Sequence, residues 1–299
     1  MDYGRDLGFG ISVLPDAGAA DVARRLAVRA DGLGLDLVGV QDHPYQHRFV
    51  DTFALISDLL ARTERISVFP DVANLPLRGA AMLAKAAASL DVLSRGRFEL
   101  GLGAGAFWDA IAAMGGPSRS PRESLEALEE AIALIRAFWA GGTVERRGEY
   151  YSVHGAHAGP PPAHDIGIWV GGYKPRMLDL IGRVADGWVP SLPYAPPEVI
   201  PDMMERVDAG AAAAGRDPRD VRRLYNLTGE ITDGARGDGL VGPAGLWVEQ
   251  LAGFTALGFD SYVFWPGGDE PEQQVERFAE VAASVRATVD RDRSPGPAR

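Results

Sequence analysis

The 299-residue chain contains no cysteine. Disulfides, thiolate nucleophiles and thiolate metal sites are therefore excluded, and the absence is compatible with a cytoplasmic location. Lysine is nearly absent: Lys85 and Lys174 are the only two, against a total of 30 basic residues. No run reaches the roughly 18 apolar residues that a membrane span requires. The N-terminal MDYGRDLGFG has no basic region followed by an apolar stretch, so no signal peptide is expected. Acidic residues outnumber basic ones and the net charge is -11. The basic face that phosphate backbones need is missing, which argues against a nucleic-acid partner. A small anionic ligand stays open, since a few backbone N–H groups and one or two cations can hold it locally.

Apolar residues make up 46% of the chain, enough to bury a full core. They fall into a repeating pattern. Short apolar runs at 7–13, 37–40, 66–69, 97–102, 168–170, 187–189, 223–228 and 261–265 read as strands. Helical patterns at 19–33, from the Asp51 N-cap to Leu60, and at 77–93 follow the first three. Ser120-Pro121-Arg122-Glu123 fits a capping box with proline at the first helical position. Leu125, Leu128, Ile132, Ile135 and Phe138 continue it as an apolar stripe. Further helices are expected at 175–185, 197–214, 243–257 and 272–289. Eight alternating strand–helix units imply parallel pairing and an α/β fold that closes into a (β/α)8 TIM barrel. A doubly wound open sheet is the competing arrangement. Residues 143–167 break the rhythm as an excursion with one short strand near Tyr150–Val153, inserted between the fourth long helix and the fifth strand. No linker divides the chain, so 1–290 is expected to be one domain, with 291–299 a disordered tail.

A barrel of this kind carries its site at the C-terminal ends of its strands. After the second run comes Val40-Gln41-Asp42-His43-Pro44-Tyr45-Gln46-His47, with two of the five histidines. Pro44 disfavours a helix there, so His43 and His47 need not share a face. Three readings stand: a metal site, solvated loop histidines, or proton handling by His43 or His47. Asp42 beside His43 would favour the protonated imidazole, which suits a general acid. Gly171-Gly172-Tyr173-Lys174-Pro175 opens a helix and makes a candidate anion cradle; an ordinary tight turn is the bland alternative. Gly101-Leu102-Gly103-Ala104-Gly105 lacks a dinucleotide fingerprint's third glycine. It suits close approach of backbone to a flat ring.

Several blocks resemble the luciferase-like oxidoreductases, which use FMN or the deazaflavin coenzyme F420. The resemblance rests on Gln41-Asp42-His43, on Asp71-Val72-Ala73-Asn74-Leu75-Pro76-Leu77-Arg78, and on the stretch from Ser89 to Gly105. Ile168–Gly172 and Gly182–Trp188 also match. It spans essentially the whole chain and implies the barrel with an excursion. It also implies that Asp42 and His43 face the cofactor ring and that a non-proline cis peptide joins Asp71 to Val72 against one ring face. Asn74 would meet the ring's polar edge, Gly103, Gly105 and Ala106 would pass close by, and Gly171, Gly172, Tyr173, Lys174 and Pro175 would hold the phosphate. No metal is implied.

Two departures bear on substrate. F420-dependent sugar-phosphate dehydrogenases carry a glutamate where this chain has Ala106 and a tryptophan where it has His47, so a sugar phosphate is not expected. Ala104 leaves no arginine of the kind FMN-type members use for phosphate, which tilts the expectation to F420. The expected activity is hydride transfer between a deazaflavin and a small organic substrate. The alternatives are an FMN-dependent monooxygenase using O2, a non-catalytic flavin or deazaflavin carrier, and a metal-dependent hydrolase built on His43, His47 and Asp42. Members of the family are often dimers, which makes the helices at 53–60 and 77–93 candidate contact surfaces.

Overall fold

Short apolar runs become barrel staves because helices cover one face and the barrel interior covers the other. The computed structural model describes residues 2–293 except 235, 236, 238 and 269. The staves are β1 (Gly8–Val13), β2 (Leu37–Val40), β3 (Ser67–Pro70), β4 (Leu100–Gly103), β5 (Ile168–Val170), β6 (Gly187–Trp188), β7 (Arg222–Ile231) and β8 (Ser261–Pro266). Every position of β1, β2, β5 and β6 is buried. Each stave pairs in parallel with its neighbours, and β1 pairs with β8. The ring closes between β3 and the start of β4. Val68 receives the Phe98 bridge, its N–H meeting Arg97 O at 2.9 Å and its carbonyl meeting Glu99 N at 3.2 Å. The open-sheet alternative is thereby ruled out.

The helices lie where capping and periodicity put them. They are α1 (Ala20–Gly32), α2 (Thr52–Arg62), α3 (Ala80–Ser94), α4 (Pro121–Trp139), α5 (Pro175–Val184), α6 (Ile200–Ala213), α7 (Ala244–Leu257) and α8 (Pro271–Arg293). Asp51 caps α2 by accepting from the N–H groups of Phe53 and Ala54. The Ser120–Glu123 capping box of α4 is made in both directions, satisfying two amides that the helix would otherwise leave open. A short extra helix, Trp108–Ala113, was not legible in the sequence. It is too brief for a periodic signal.

Six side chains fill the lower barrel interior: Leu37, Phe69, Trp169, Val189, Leu224 and Val263. Phe69 and Trp169 meet edge-on with centroids 5.1 Å apart. Above this plug the barrel opens. At β4 the packing is so close that a Cβ on Gly101 would stand 2.0 Å from Pro70 O. Only glycine lets β4 approach the end of β3, where the chain turns toward the site.

Two expectations are corrected. The excursion holds an antiparallel hairpin, Thr143–Arg147 paired with Ser152–His157, rather than one strand. Tyr150 and Tyr151 sit in its turn, where Glu130 accepts the amides of Glu149, Tyr150 and Tyr151. At the other end, residues 291–293 are the last turn of α8, and Arg293 pairs with Asp2 at 2.7 Å. The remainder of the expected tail, 294–299, lies outside the described residues.

The excursion is pinned by His164. Its Nδ1 lies 2.7 Å from Asp91 and its Nε2 3.4 Å from Glu99, and the buried Asp91 also accepts the amides of Ala163 and His164. Glu99 above all, with Asp91, raises the imidazole to about 9 against the opposing effect of burial. A group raised this way stabilises the fold fully below its unfolded value of 6.5, and the benefit is lost as pH rises through about 9. His164→Ala should therefore cost about 1–2 kcal/mol at pH 7, after allowing for the ring's partial exposure. Thermal melts across the pH range should show the gap between variant and parent closing above pH 9. A gap that stays constant would refute the assignment.

Candidate active site

A single cavity of about 1210 Å³ opens at the C-terminal ends of the staves. It collects the segments after β2, β3, β5 and β6, the end of β4, and Asn226, Thr228 and Trp265 from β7 and β8. Of the residues singled out in the sequence, Asp42, His43, Asp71, Val72, Asn74, Gly103, Gly105, Ala106, Gly171, Gly172, Tyr173, Lys174 and Pro175 all line it. His47 does not. Gln46 N closes a tight turn onto His43 O at 2.9 Å, and the chain beyond it runs outward, leaving His47 exposed. The two histidines therefore do not converge. Among the described residues no group of three or more His, Cys, Asp or Glu is placed to hold a metal ion. The hydrolase alternative has no ligand set.

Asp42 has a different task from the one its position beside His43 suggested. Its carboxylate is buried, takes two hydrogen bonds of 2.7 Å from the Arg78 guanidinium and accepts Asn74 N at 2.8 Å. Arg78 also reaches Asp51 at 2.7 Å and lies 4.4 Å over the Phe53 ring. With both oxygens committed, Asp42 does not hold a proton on its neighbour. Burial lowers the His43 imidazole below its ordinary range, and the weaker pull of the Asp42 charge in the other direction does not prevent it. The expectation of a protonated His43 is thus reversed. Its Nδ1 is bonded to the Tyr45 hydroxyl instead.

Below the mouth, the chain crosses from β3 to a two-residue segment, Ala73–Asn74, that pairs with β4. The crossing peptide, Asp71–Val72, is cis, as the family resemblance implied. Val72 points toward β4 and β5, where a Cβ on Gly103 would stand 2.8 Å from its Cγ2. Asp71 points the other way. Its Oδ1 accepts from Asn226 Nδ2 at 3.1 Å, while its Oδ2 is shut off from solvent without a partner. Burial raises this carboxyl to about 6. Asn74 Oδ1, Asn226 Oδ1 and Ser12 Oγ are likewise buried and unpaired. Asp71, Asn74 and Asn226 line the cavity; buried polar atoms are normally satisfied, so three open ones at one cavity mark a place for polar groups of a ligand or water.

At the opposite side, Gly171 and Gly172 lead into α5, whose first residue is Pro175 and whose Lys174 N-cap makes no side-chain capping bond. A Cβ on Gly172 would stand 2.3 Å from Met177 Cγ, so glycine keeps this strip of backbone bare. A bare strip of backbone at a helix start, with Lys174 beside it, is the kind of place where an anion can be held. Gly105 has φ +106, a conformation glycine alone adopts freely, and it brings the β4 loop against Trp108.

Tyr194 and Asn226 line the cavity but were not picked out from the sequence, and Tyr45 and Ser191, which also line it, lie in segments after strands where they were given no role. Asn226 had a legible signal. It is a lone amide in the apolar run Leu224-Tyr225-Asn226-Leu227, near the mouth end of a barrel strand.

Comparison with known proteins places this geometry. The family model described as luciferase-like monooxygenase matches residues 6–235. The chain belongs to that family. This luciferase-like chain is 34% identical over 215 residues, 71% of its length, to a 5,10-methylenetetrahydromethanopterin reductase of Methanolobus tindarius. It is 31% identical over 208 residues, 67% of its length, to an F420-dependent glucose-6-phosphate dehydrogenase of Intrasporangium calvum. In both cases the match spans 62% of the relative's own length. Among solved structures, the luciferase-like fold recurs in an F420-dependent secondary alcohol dehydrogenase bound to an F420–acetone adduct. That match has a TM-score of 0.83 at 18% identity, over 94% of this chain and 99% of the other. It recurs too in the F420-dependent tetrahydromethanopterin reductase of Methanopyrus kandleri, with a TM-score of 0.80 at 20% identity, over 92% and 98%.

Asp71 supplies a test of the cavity floor. Its raised value means the folded protein holds the proton more tightly than the unfolded chain between 3.8 and about 6. Stability should fall as pH rises through that window. Asp71→Asn removes the ionisation and should stabilise the cofactor-free protein by about 3 kcal/mol at pH 8, with no gain below pH 4. A pH-independent effect of the substitution in denaturant titrations would sink this account of Asp71.

Proposed function

We propose that this luciferase-like protein is an F420-dependent oxidoreductase acting on a small organic substrate. One observation carries the reading: a wide, largely apolar cavity at the barrel mouth with buried polar atoms left open at Asn74, Asp71 and Asn226. A deazaflavin ring is a flat apolar body with N–H and carbonyl groups along one edge, and it needs this combination. Asn74 Oδ1 would take a ring N–H, Val72 would lie against one ring face, and the Gly171–Pro175 cradle would take the phosphate. When bound, the cofactor supplies the hydride; the protein supplies position, exclusion of water and a proton. His43 stands at the mouth to handle that proton. His47 does not, being outside the cavity. The F420-dependent activities of the relatives support F420, as does Ala104 in place of an arginine.

A sugar phosphate is not the substrate we propose. Neither Ala106 nor the exposed His47 supplies the polar contacts such a ligand requires. The FMN-dependent monooxygenase is the second reading, favoured by the family model itself. Titration of the purified protein with F420 and with FMN separates the two. F420 should bind in the micromolar range, about -8 kcal/mol, and at least tenfold more tightly than FMN. Failure of both to bind below the high micromolar range overturns the proposal. Oxygen uptake with reduced FMN would move it to the monooxygenase.

The same reading includes a homodimer. The apolar residues of α2, Leu55, Ile56, Leu59 and Leu60, face inward, so α2 is a poor contact surface. On α3, Met82 and Leu93 are 71% and 78% exposed. Large apolar side chains presented together on one helix suit a second copy of the chain. Light scattering at about 10 μM protein should give a dimer mass, and Met82→Glu with Leu93→Glu should give a monomer with cofactor affinity unchanged. A monomeric parent protein would remove the dimer from the proposal.

A further inference from the structure

Tyr45 follows His43 by two residues, across a turn fixed by Pro44 and the Gln46 N to His43 O bond of 2.9 Å. Its hydroxyl meets His43 Nδ1. Which way that proton runs decides what His43 can do. A phenol has one proton. Were Nδ1–H the donor, the phenol proton would need another acceptor, and among the described residues His43 is the only hydrogen-bond partner found for the Tyr45 hydroxyl. That proton would be left to solvent, and in the opposite sense the Nε2–H is left to solvent, so counting donors does not decide. A phenol O–H is the stronger donor and an imidazole nitrogen the stronger acceptor, so the proton runs from oxygen to Nδ1. Burial acts the same way on both groups, raising the phenol to about 12 and lowering the imidazole, so each is neutral near pH 7. The one charge that acts on the imidazole is Asp42, itself clamped by Arg78.

We propose that Tyr45 is a positioning residue that donates its hydroxyl proton to His43 Nδ1, fixes the neutral Nε2–H tautomer, and so makes His43 a hydrogen-bond donor to the carbonyl oxygen of an uncharged, ring-bearing substrate. The ring-bearing part comes from Phe107. It stands edge-on to His43, with centroids 5.8 Å apart at 82°, and 6.0 Å from Tyr45. Its backbone has φ 57, a left-handed conformation that a bulky residue seldom adopts. Its side chain is 65% exposed, so its own burial does not hold it there. A strained, exposed aromatic edge beside a polarising imidazole is a contact face for another ring. Among the described residues the one charge found to act on the His43 ring is that of Asp42, which is already paired with Arg78 and so is not free for a charged ligand.

The donor role rests on the oxidoreductase reading; the tautomer does not. In the reductive direction a bound reduced deazaflavin would supply the hydride, and as the carbonyl carbon accepts it the C=O π pair would move to oxygen. That oxygen takes the proton from Nε2, Nδ1 takes the proton of Tyr45, and the phenolate is reprotonated from water at the mouth. An alkoxide is a stronger base than a phenolate, so the relay runs downhill.

The test uses the full-length, cofactor-free protein with 15N-labelled histidine. At pH 7 the His43 ring should give an unprotonated Nδ1 and a protonated Nε2. Tyr45→Phe keeps the ring but removes the donor; it should produce a mixture of tautomers and raise the His43 midpoint by about one pH unit. A proton on Nδ1 in the parent protein, or an unchanged midpoint and tautomer in the variant, overturns the proposal. Acetophenone, a neutral aromatic ketone, should shift the Nε2–H signal, with Phe107→Ala requiring about tenfold more of it. Benzoate should leave the signal in place. No response to acetophenone, or a stronger response to benzoate, overturns the substrate class. Since none of these signals needs a cofactor, a failed F420 titration would leave them to stand or fall on their own.

Discussion

The buried pair between Asp42 and Arg78 holds the site together. One carboxylate ties the loop after β2 to the segment after β3 by two bonds to the guanidinium and one to Asn74 N. The same guanidinium reaches Asp51, which caps α2. Two consecutive strand–helix units therefore share one charged centre. A carboxylate fully withdrawn from water is tolerable only with a partner of this geometry. The arrangement fixes the position of Asn74 and sets the His43 loop above the Asp71–Val72 crossing.

That centre also decides the electrostatics of the mouth. With Asp42 paired to Arg78, its upward pull on the His43 imidazole is outweighed by burial, which lowers the imidazole below its ordinary range. Deeper in, the same lack of a cation near Asp71 leaves its carboxyl titrating near 6. The site thus combines a neutral imidazole at the rim with a weakened acid at the floor. A carboxyl raised by burial to about 6 and an imidazole lowered by burial thus share one cavity. The opposite wall is the start of α5, with Lys174 at its N-cap.

Much of the framework was legible. Eight apolar runs with helical patterns between them led to a closed parallel barrel, and Asp51 and the Ser120–Glu123 box marked helix starts correctly. The loops after the strands carried nearly all the cavity-lining residues foreseen. Three readings went astray for separate physical reasons. His47 shares a stretch with His43 but lies beyond a turn that points outward. Asp42 was read through its sequence neighbour, whereas its true partner is 36 residues away. The excursion hairpin was hidden because its strands are exposed, and exposed strands lose the apolar alternation that reveals buried ones.

Sequence alone settled the class of fold, the absence of thiol chemistry, the helix caps and the segments that would meet at the barrel mouth. These follow from periodicity, composition and local hydrogen bonding, which act over a few residues. Tertiary structure alone decided which polar atoms are satisfied and which are left open, that Asp42 is spent on Arg78, and that His43 answers to Tyr45. Those outcomes depend on burial and on partners brought together by barrel closure. The charge state of a side chain is set by its surroundings in space, and the chain order does not contain them.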